Sequence, residues 1–200
     1  MVKKSVNPIS NQEYDLPNHL DDKNGIEQFI NHNKNKKIIV VQGLGFVGSV
    51  MSIVCANSPK EEYAVIGVDL PNEDNYWKIA SINNGVFPLV AEDKKINLYF
   101  KNSIKKGNFY ATYDSYAYSL ADTIIVDINL DVQKKSIDNY LLDSFDLDLS
   151  SFKSAISSIG ENCKEDVLVL VETTVPPGTC KQVVAPILKK KLTDRGLSNS

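Results

Sequence analysis

The sequence predicts an α/β fold, a doubly wound parallel sheet with a short helical arm ahead of it. Three observations carry this expectation. Short β-branched and aliphatic runs recur at 36–42, 63–69, 120–128 and 166–173. Segments with helix-like spacing of apolar residues lie between or after them, at 46–57, 73–84, 91–106, 150–163 and 178–192. Strands that alternate with helices pair in parallel through βαβ units. A glycine-rich turn then follows the first run directly and opens the first of those helices. At 42% hydrophobic and 24% charged, the 200 residues have a globular composition, which excludes wholesale disorder. A chain of this length buries about 70% of its unfolded surface and needs no staples.

Residues 1–36 are polar and rich in Asn, Asp and Lys. Ile26, Phe29 and Ile30 are spaced for one short helix, and the arm is expected to dock on the domain edge or stay partly mobile. His19 and His32 both fall here and are read as solvated. From Lys37 the runs KKIIVVQ, YAVIGVD, LADTIIVDI and DVLVLVET lack alternation, as strands covered on both faces do. The polar stretch 131–149 reads as a surface excursion. Phe152, Ile156 and Ile159 then pattern the next helix.

Several function classes are excluded. The net charge is −3, and Arg195 is the only arginine among 22 basic residues. No electrostatic footprint for nucleic acid or an acidic membrane results. Cys55, Cys163 and Cys180 are odd in number and widely spaced, which fits neither a disulfide framework nor a zinc site; no metal is expected. The aliphatic runs at 38–41 and 167–171 fall far short of the ~20 residues of a membrane span. The opening has lysines but no apolar stretch behind them, so a soluble cytoplasmic protein is expected.

The turn is Gly43-Leu44-Gly45-Phe46-Val47-Gly48, a G-x-G-x-x-G pattern. Alone the pattern is weak. Here it sits between an aliphatic strand and a helix, and Asp69 ends the next strand, 21 residues past Gly48. The first glycine permits a tight turn, the second lets backbone approach a diphosphate, and the third lets helix and strand pack closely. The helix N-terminus, Phe46 and Val47 included, offers free amides and a positive dipole end. Asp69 can accept from a ribose diol, and its charge disfavours the extra phosphate of NADP. NAD is therefore the expected cofactor, on a Rossmann-type fold. Lys78, the nearest cation, reads as a solvated helix residue. The run VLVLV ends in Glu172-Thr173-Thr174-Val175-Pro176-Pro177-Gly178. The prolines stop the strand and Gly178 turns the chain into a helix. The hydroxyls stand at the carboxyl edge of the sheet, where open α/β sheets bind ligands. Their role, ligand contact or helix cap, stays open on these grounds.

Five segments in order resemble the UDP-glucose/GDP-mannose dehydrogenase family. They are Ser81-Ile82-Asn83-Asn84-Gly85-Val86-Phe87-Pro88, Lys106-Gly107-Asn108-Phe109-Tyr110-Ala111-Thr112 on the approach to a third strand, Ala121-Asp122-Thr123-Ile124-Ile125, Asp148-Leu149-Ser150, and Val171 to Thr179. The last is nearly the family's V-x-E-S-T-V-P-P-G-T. The resemblance covers about Lys37 to Arg195 and implies two units: an arm, 1–36, and an NAD-binding domain, 37–200. It also implies that the family's central and C-terminal substrate domains lie outside this chain. The implied activity is oxidation of the primary 6-hydroxyl of a UDP- or GDP-hexose to a carboxylate with two NAD. A cysteine from a later G-x-C segment would serve as nucleophile. Glu172 and Thr174 become cofactor contacts, and Thr174 takes a supporting place near the reaction centre. The implied partner is a nucleotide sugar. Whole family members pair as homodimers, while this piece is expected to be monomeric and inactive alone. The family's V-P-T-P after its fourth strand is replaced by Ile128-Asn129-Leu130-Asp131. Two other readings are a free-standing NAD-binding module and the cofactor domain of a β-hydroxyacid dehydrogenase.

Overall fold

The computed structural model describes residues 3–197 except 131, 135–136, 139–140 and 143–144. The chain begins with a hairpin, β1 (Lys4–Val6) and β2 (Glu13–Asp15), followed by α1 (Lys23–His32). Next come β3 (Lys37–Gln42), α2 (Phe46–Ala56) and β4 (Tyr63–Val68). They lead to α3 (Tyr76–Asn83), α4 (Lys94–Lys106), β5 (Phe109–Thr112), α5 (Tyr116–Leu120) and β6 (Thr123–Val126). Four short strands follow: β7 (Val132–Lys134), β8 (Ile137–Asp138), β9 (Leu141–Leu142) and β10 (Phe145–Leu147). β7 pairs with β10 and β8 with β9, both antiparallel. The expected excursion at 131–149 lies partly outside the described residues. The last elements are α6 (Ser150–Asn162), β11 (Leu168–Val171), a π-helical turn Cys180–Val184 and α7 (Ala185–Asp194).

Five strands form one parallel sheet in the order β11-β6-β3-β4-β5. The chain winds outward from β3 through β4 to β5, then crosses back to place β6 on the other side of β3. This is the doubly wound order, with its topological switch between β3 and β6. Gln42 stands opposite Val68 on one side and Val126 on the other, so three strands end flush at the switch.

Each face has its own core. Ile53 of α2, Ile79 and Ile82 of α3 and Phe100 of α4 cluster with Ile39, Val41, Val65 and Ile125. Ile26 and Phe29 of α1, with Phe152, Ile156 and Ile159 of α6, cluster with Val40, Ile66 and Ile124. Burial on both faces is why the β3, β4 and β6 runs do not alternate. β11 differs from that expectation. It forms one edge of the sheet, and Leu168 and Leu170 are 54% and 40% exposed on the face away from α6.

The arm is more than one helix, and it is docked. Ser5 is fully buried; its Oγ donates to the carbonyl of Glu73 (2.7 Å) and accepts from the amide of Trp77 (2.9 Å). Asp22 accepts from the hydroxyls of Tyr110 (2.9 Å) and Thr112 (2.6 Å) on β5. The hairpin strands are three residues each, too short to show a period in sequence. Ser5→Ala is expected to cost about 1–2 kcal/mol in urea denaturation, because it strands the buried Trp77 amide. A change below about 0.5 kcal/mol, the scatter of surface substitutions, argues against this dock.

The helix expected over 178–192 forms in two registers. Pro186 has no amide hydrogen for an α-helical bond to the residue four before it, and the preceding turn, Cys180–Val184, is wound as π-helix. α5 was not expected; five residues are too few for a helical period.

Candidate cofactor site

The site is a cleft of about 1250 Å³ at the flush strand ends. Its floor is the turn between β3 and α2. Gly43 has φ +99°, and a Cβ there would sit 2.3 Å from the carbonyl oxygen of Asp127. A Cβ on Gly48 would come within 1.9 Å of the Gly43 carbonyl oxygen. A Cβ on Gly45 would meet nothing within 4 Å. Two glycines are thus required by the protein's own packing, while the middle one faces open space. Gly45 also occupies the N-cap position of α2, and no side chain caps that end. The first amides of a helix have no intrahelical partner, so an anion in the cleft meets donors and the dipole's positive end.

Gly43, Gly45, Phe46, Val47, Asp69, Glu172 and Thr174 all line this one cleft. Gly48 supports it from beneath. Glu172 and Thr174 are exposed. Thr173 has turned inward: its Oγ1 accepts from the amide of Ile128 (2.8 Å) and donates to the carbonyl of Val126 (3.2 Å). The two neighbouring hydroxyls therefore divide the work, one joining β11 to the end of β6, the other facing the cleft.

Asp69 is more heavily engaged than its sequence position suggests. Oδ2 accepts from the amide of Leu44 (3.0 Å) and from Nζ of Lys78 (2.9 Å), and Oδ1 accepts from the amide of Leu70 (2.8 Å). The expectation that Lys78 is a solvated helix residue is corrected here. Its side chain is 15% exposed and forms an ion pair with Asp69. The ten-residue path from Asp69 to Lys78 folds back because Asn75 holds Nζ as well, at 2.7 Å. A carboxylate has about four acceptor positions, so roughly one remains for a ribose hydroxyl.

Two further groups went unnoticed in the sequence. Gln42, at the end of β3, accepts a hydrogen bond from the Tyr118 hydroxyl. Burial is the main cause that pushes the Tyr118 phenol well above its usual range, followed by the charge of Asp69. Asp127 follows β6 directly. Its amide donates to the carbonyl of Gln42 (2.8 Å), its side chain is in the cleft wall, and its Oδ2 is buried without a hydrogen-bond partner. Burial and then the charge of Glu172 raise its pKa. An acid closing an aliphatic run at the carboxyl edge was the available signal; the run 120–128 was read as all strand.

The cysteines offer no activated thiol in the cleft. Burial raises the pKa of Cys55 and Cys163, and none of the three lines the cleft. Among the described residues no cluster of three or more His, Cys, Asp or Glu could hold a metal. No helix described is long and apolar enough to cross a membrane.

A switch-point cleft over a glycine turn, with an acid ending the second strand, defines a dinucleotide-binding α/β domain. The family model "UDP-glucose/GDP-mannose dehydrogenase family, NAD binding domain" matches residues 36–199, and the chain belongs to this family. Its cofactor is NAD. A UDP-N-acetyl-D-mannosamine dehydrogenase of Methanococcus maripaludis strain C7 is 30% identical over 161 residues, 78% of this chain and 32% of that protein. One from Pyrococcus horikoshii is 28% identical, covering 72% of this chain and 30% of that protein. Among solved structures, NDP-N-acetyl-D-galactosaminuronic acid dehydrogenase from Methanosarcina mazei matches with TM-score 0.68 and 26% identity, over 83% of this chain and 33% of that one. A ternary complex of GDP-mannose dehydrogenase from Pseudomonas aeruginosa matches with TM-score 0.63 and 27% identity, over 76% and 32%. The chain spans about a third of the length of these relatives.

Proposed function

We propose that this chain is the cofactor-holding part of an enzyme that oxidises the primary 6-hydroxyl of a UDP- or GDP-linked hexose to a carboxylate. Two NAD would be used in succession, in polysaccharide precursor synthesis in the cytoplasm. The carrying observation is the open space at Gly45 above an uncapped helix end, flanked by Gly43 and Gly48, which admit no side chain. In this reading the diphosphate lies over Gly43–Gly48, against Phe46 and Val47. Asp69 meets the adenosine ribose, and Glu172 and Thr174 border the nicotinamide. Bound NAD supplies the hydride acceptor. The chain's own residues bind and orient it: the amides of the α2 end neutralise the diphosphate, and the Thr173 bridge keeps Thr174 at the cleft.

Residues 37–200 form the NAD-binding unit in this reading, and the nucleophilic thiolate and the nucleotide-sugar contacts come from sequence beyond these residues. Whole enzymes of this kind would pair as homodimers, while this piece alone is monomeric. Purified protein is expected to bind NAD in calorimetry and prefer it to NADP. It should form no NADH, followed at 340 nm, with a panel of UDP- and GDP-hexoses. Sustained NADH formation that vanishes when Cys55, Cys163 and Cys180 are all changed to Ser overturns the cofactor-only role.

A further inference from the structure

The position after β6 holds a group that the cofactor reading has not used. Asp127 is 9% exposed, sits in the cleft wall, and leaves Oδ2 buried with no partner. It adjoins the phosphate turn: its carbonyl oxygen lies 2.3 Å from where a Gly43 Cβ would be, and its own Cβ lies 3.3 Å from where a Gly48 Cβ would be. A buried carboxylate oxygen without a donor is costly, and the cost grows when a diphosphate, itself anionic, settles on the same turn. A neutral carboxyl is a different object. It has one O–H to donate, and the diphosphate offers only acceptors.

We infer that Asp127 binds the dinucleotide as a carboxylic acid, donating its proton in a hydrogen bond to an oxygen of the diphosphate or the adjoining ribose. The inference rests on the placement of the diphosphate over Gly43–Gly48. The surroundings favour the neutral form. From the end of β11, Glu172 adds negative charge, and burial acts in the same direction. From β4 and α3, Asp69 and Lys78 are already paired with each other. From α5, Tyr118 is engaged with Gln42. From α6 the cleft receives only uncharged side chains such as Ser154 and Ser158. Among the described residues that line the cleft, no cation is left to hold an Asp127 carboxylate. The consequence is that NAD binding takes up a proton whenever Asp127 is ionised in the free protein.

The test is calorimetric titration with NAD from pH 5 to 8 in buffers of differing ionisation enthalpy. Wild-type affinity should be highest at low pH and fall by about tenfold or more across the range, with proton uptake where it falls. Asp127→Asn keeps the size, carries a permanent donor and cannot ionise. Its affinity should stay within about twofold over the same range, without proton uptake, and it should melt no lower than wild type at pH 8. Asp127→Ala should bind weakly and independently of pH. A wild-type profile that is flat, or an Asp127→Asn profile as steep as wild type, overturns the role of Asp127. Gly45→Val separates the two readings: if it binds NAD like wild type, the placement on the turn fails. If it loses NAD while the Asp127 variants behave as wild type, only the inference about Asp127 fails.

Discussion

Gly48→Ala is expected to damage the fold, and Gly45→Val the binding, although the two glycines sit three residues apart in one turn. The Gly48 Cβ would stand 1.9 Å from a backbone oxygen, which cannot rotate away as a side chain can. Either α2 lifts from β3 or the turn opens. Overpacking of this kind costs on the order of 3 kcal/mol. Thermal unfolding should show a melting point lower by many degrees, and NAD binding should fall with it. The Gly45 Cβ meets nothing of the protein, so Gly45→Val should melt within a degree or two of wild type. Its branched side chain stands where the diphosphate would approach. Loss of those charge-assisted bonds is worth roughly 3 kcal/mol, about a hundredfold in Kd. Equal melting points for wild type and Gly48→Ala contradict this account of the turn.

The second large effect is expected at Asp69. Its carboxylate holds the Leu44 amide inside the turn, the Leu70 amide beyond β4, and the ammonium of Lys78. Asp69→Ala removes all three acceptor contacts and leaves Lys78 largely buried without its counter-charge. Breaking one side of a buried pair costs about 3–5 kcal/mol, and partial exposure of Lys78 moves this toward the low end. Denaturation should therefore report a loss of about 3 kcal/mol, and NAD affinity should drop because the turn has lost a strut. Lys78→Met should be milder, since Asp69 keeps both amides. If Asp69→Ala changes NAD affinity but leaves stability untouched, the residue serves the ribose alone.

How much of this was legible in the sequence differs by element. β3, β4, β6 and the helices α2, α3, α4 and α6 announce themselves, because their apolar spacing reports burial on a sheet. The glycine turn was readable because its three positions carry different steric demands. Asp69 was readable by spacing, but its load was not. That Lys78 folds back on it depends on how the β4–α3 loop closes, which no local pattern encodes. Asp127 was hidden inside an aliphatic run; one residue of strand length decides whether it is a rung or a cleft wall. Thr173 and Thr174 look alike in sequence and differ only in where the chain turns past the end of β11, which brings Thr173 against Val126 and Ile128 and leaves Thr174 exposed. The arm's hairpin was illegible, since Ser5 and Asp22 act through partners far along the chain.

That distance has a kinetic consequence. Ser5 meets its partner 68 residues away, and Asp22 meets Thr112 across 90. Loops of that length close at an entropic cost that the short arm repays only after β4, β5 and α3 are in place. A chain made from its N-terminus carries the hairpin sequence unsatisfied while the whole of β3 through β5 emerges. The arm, made before the sheet, is then among the last parts to settle, and it fastens β5 when it does.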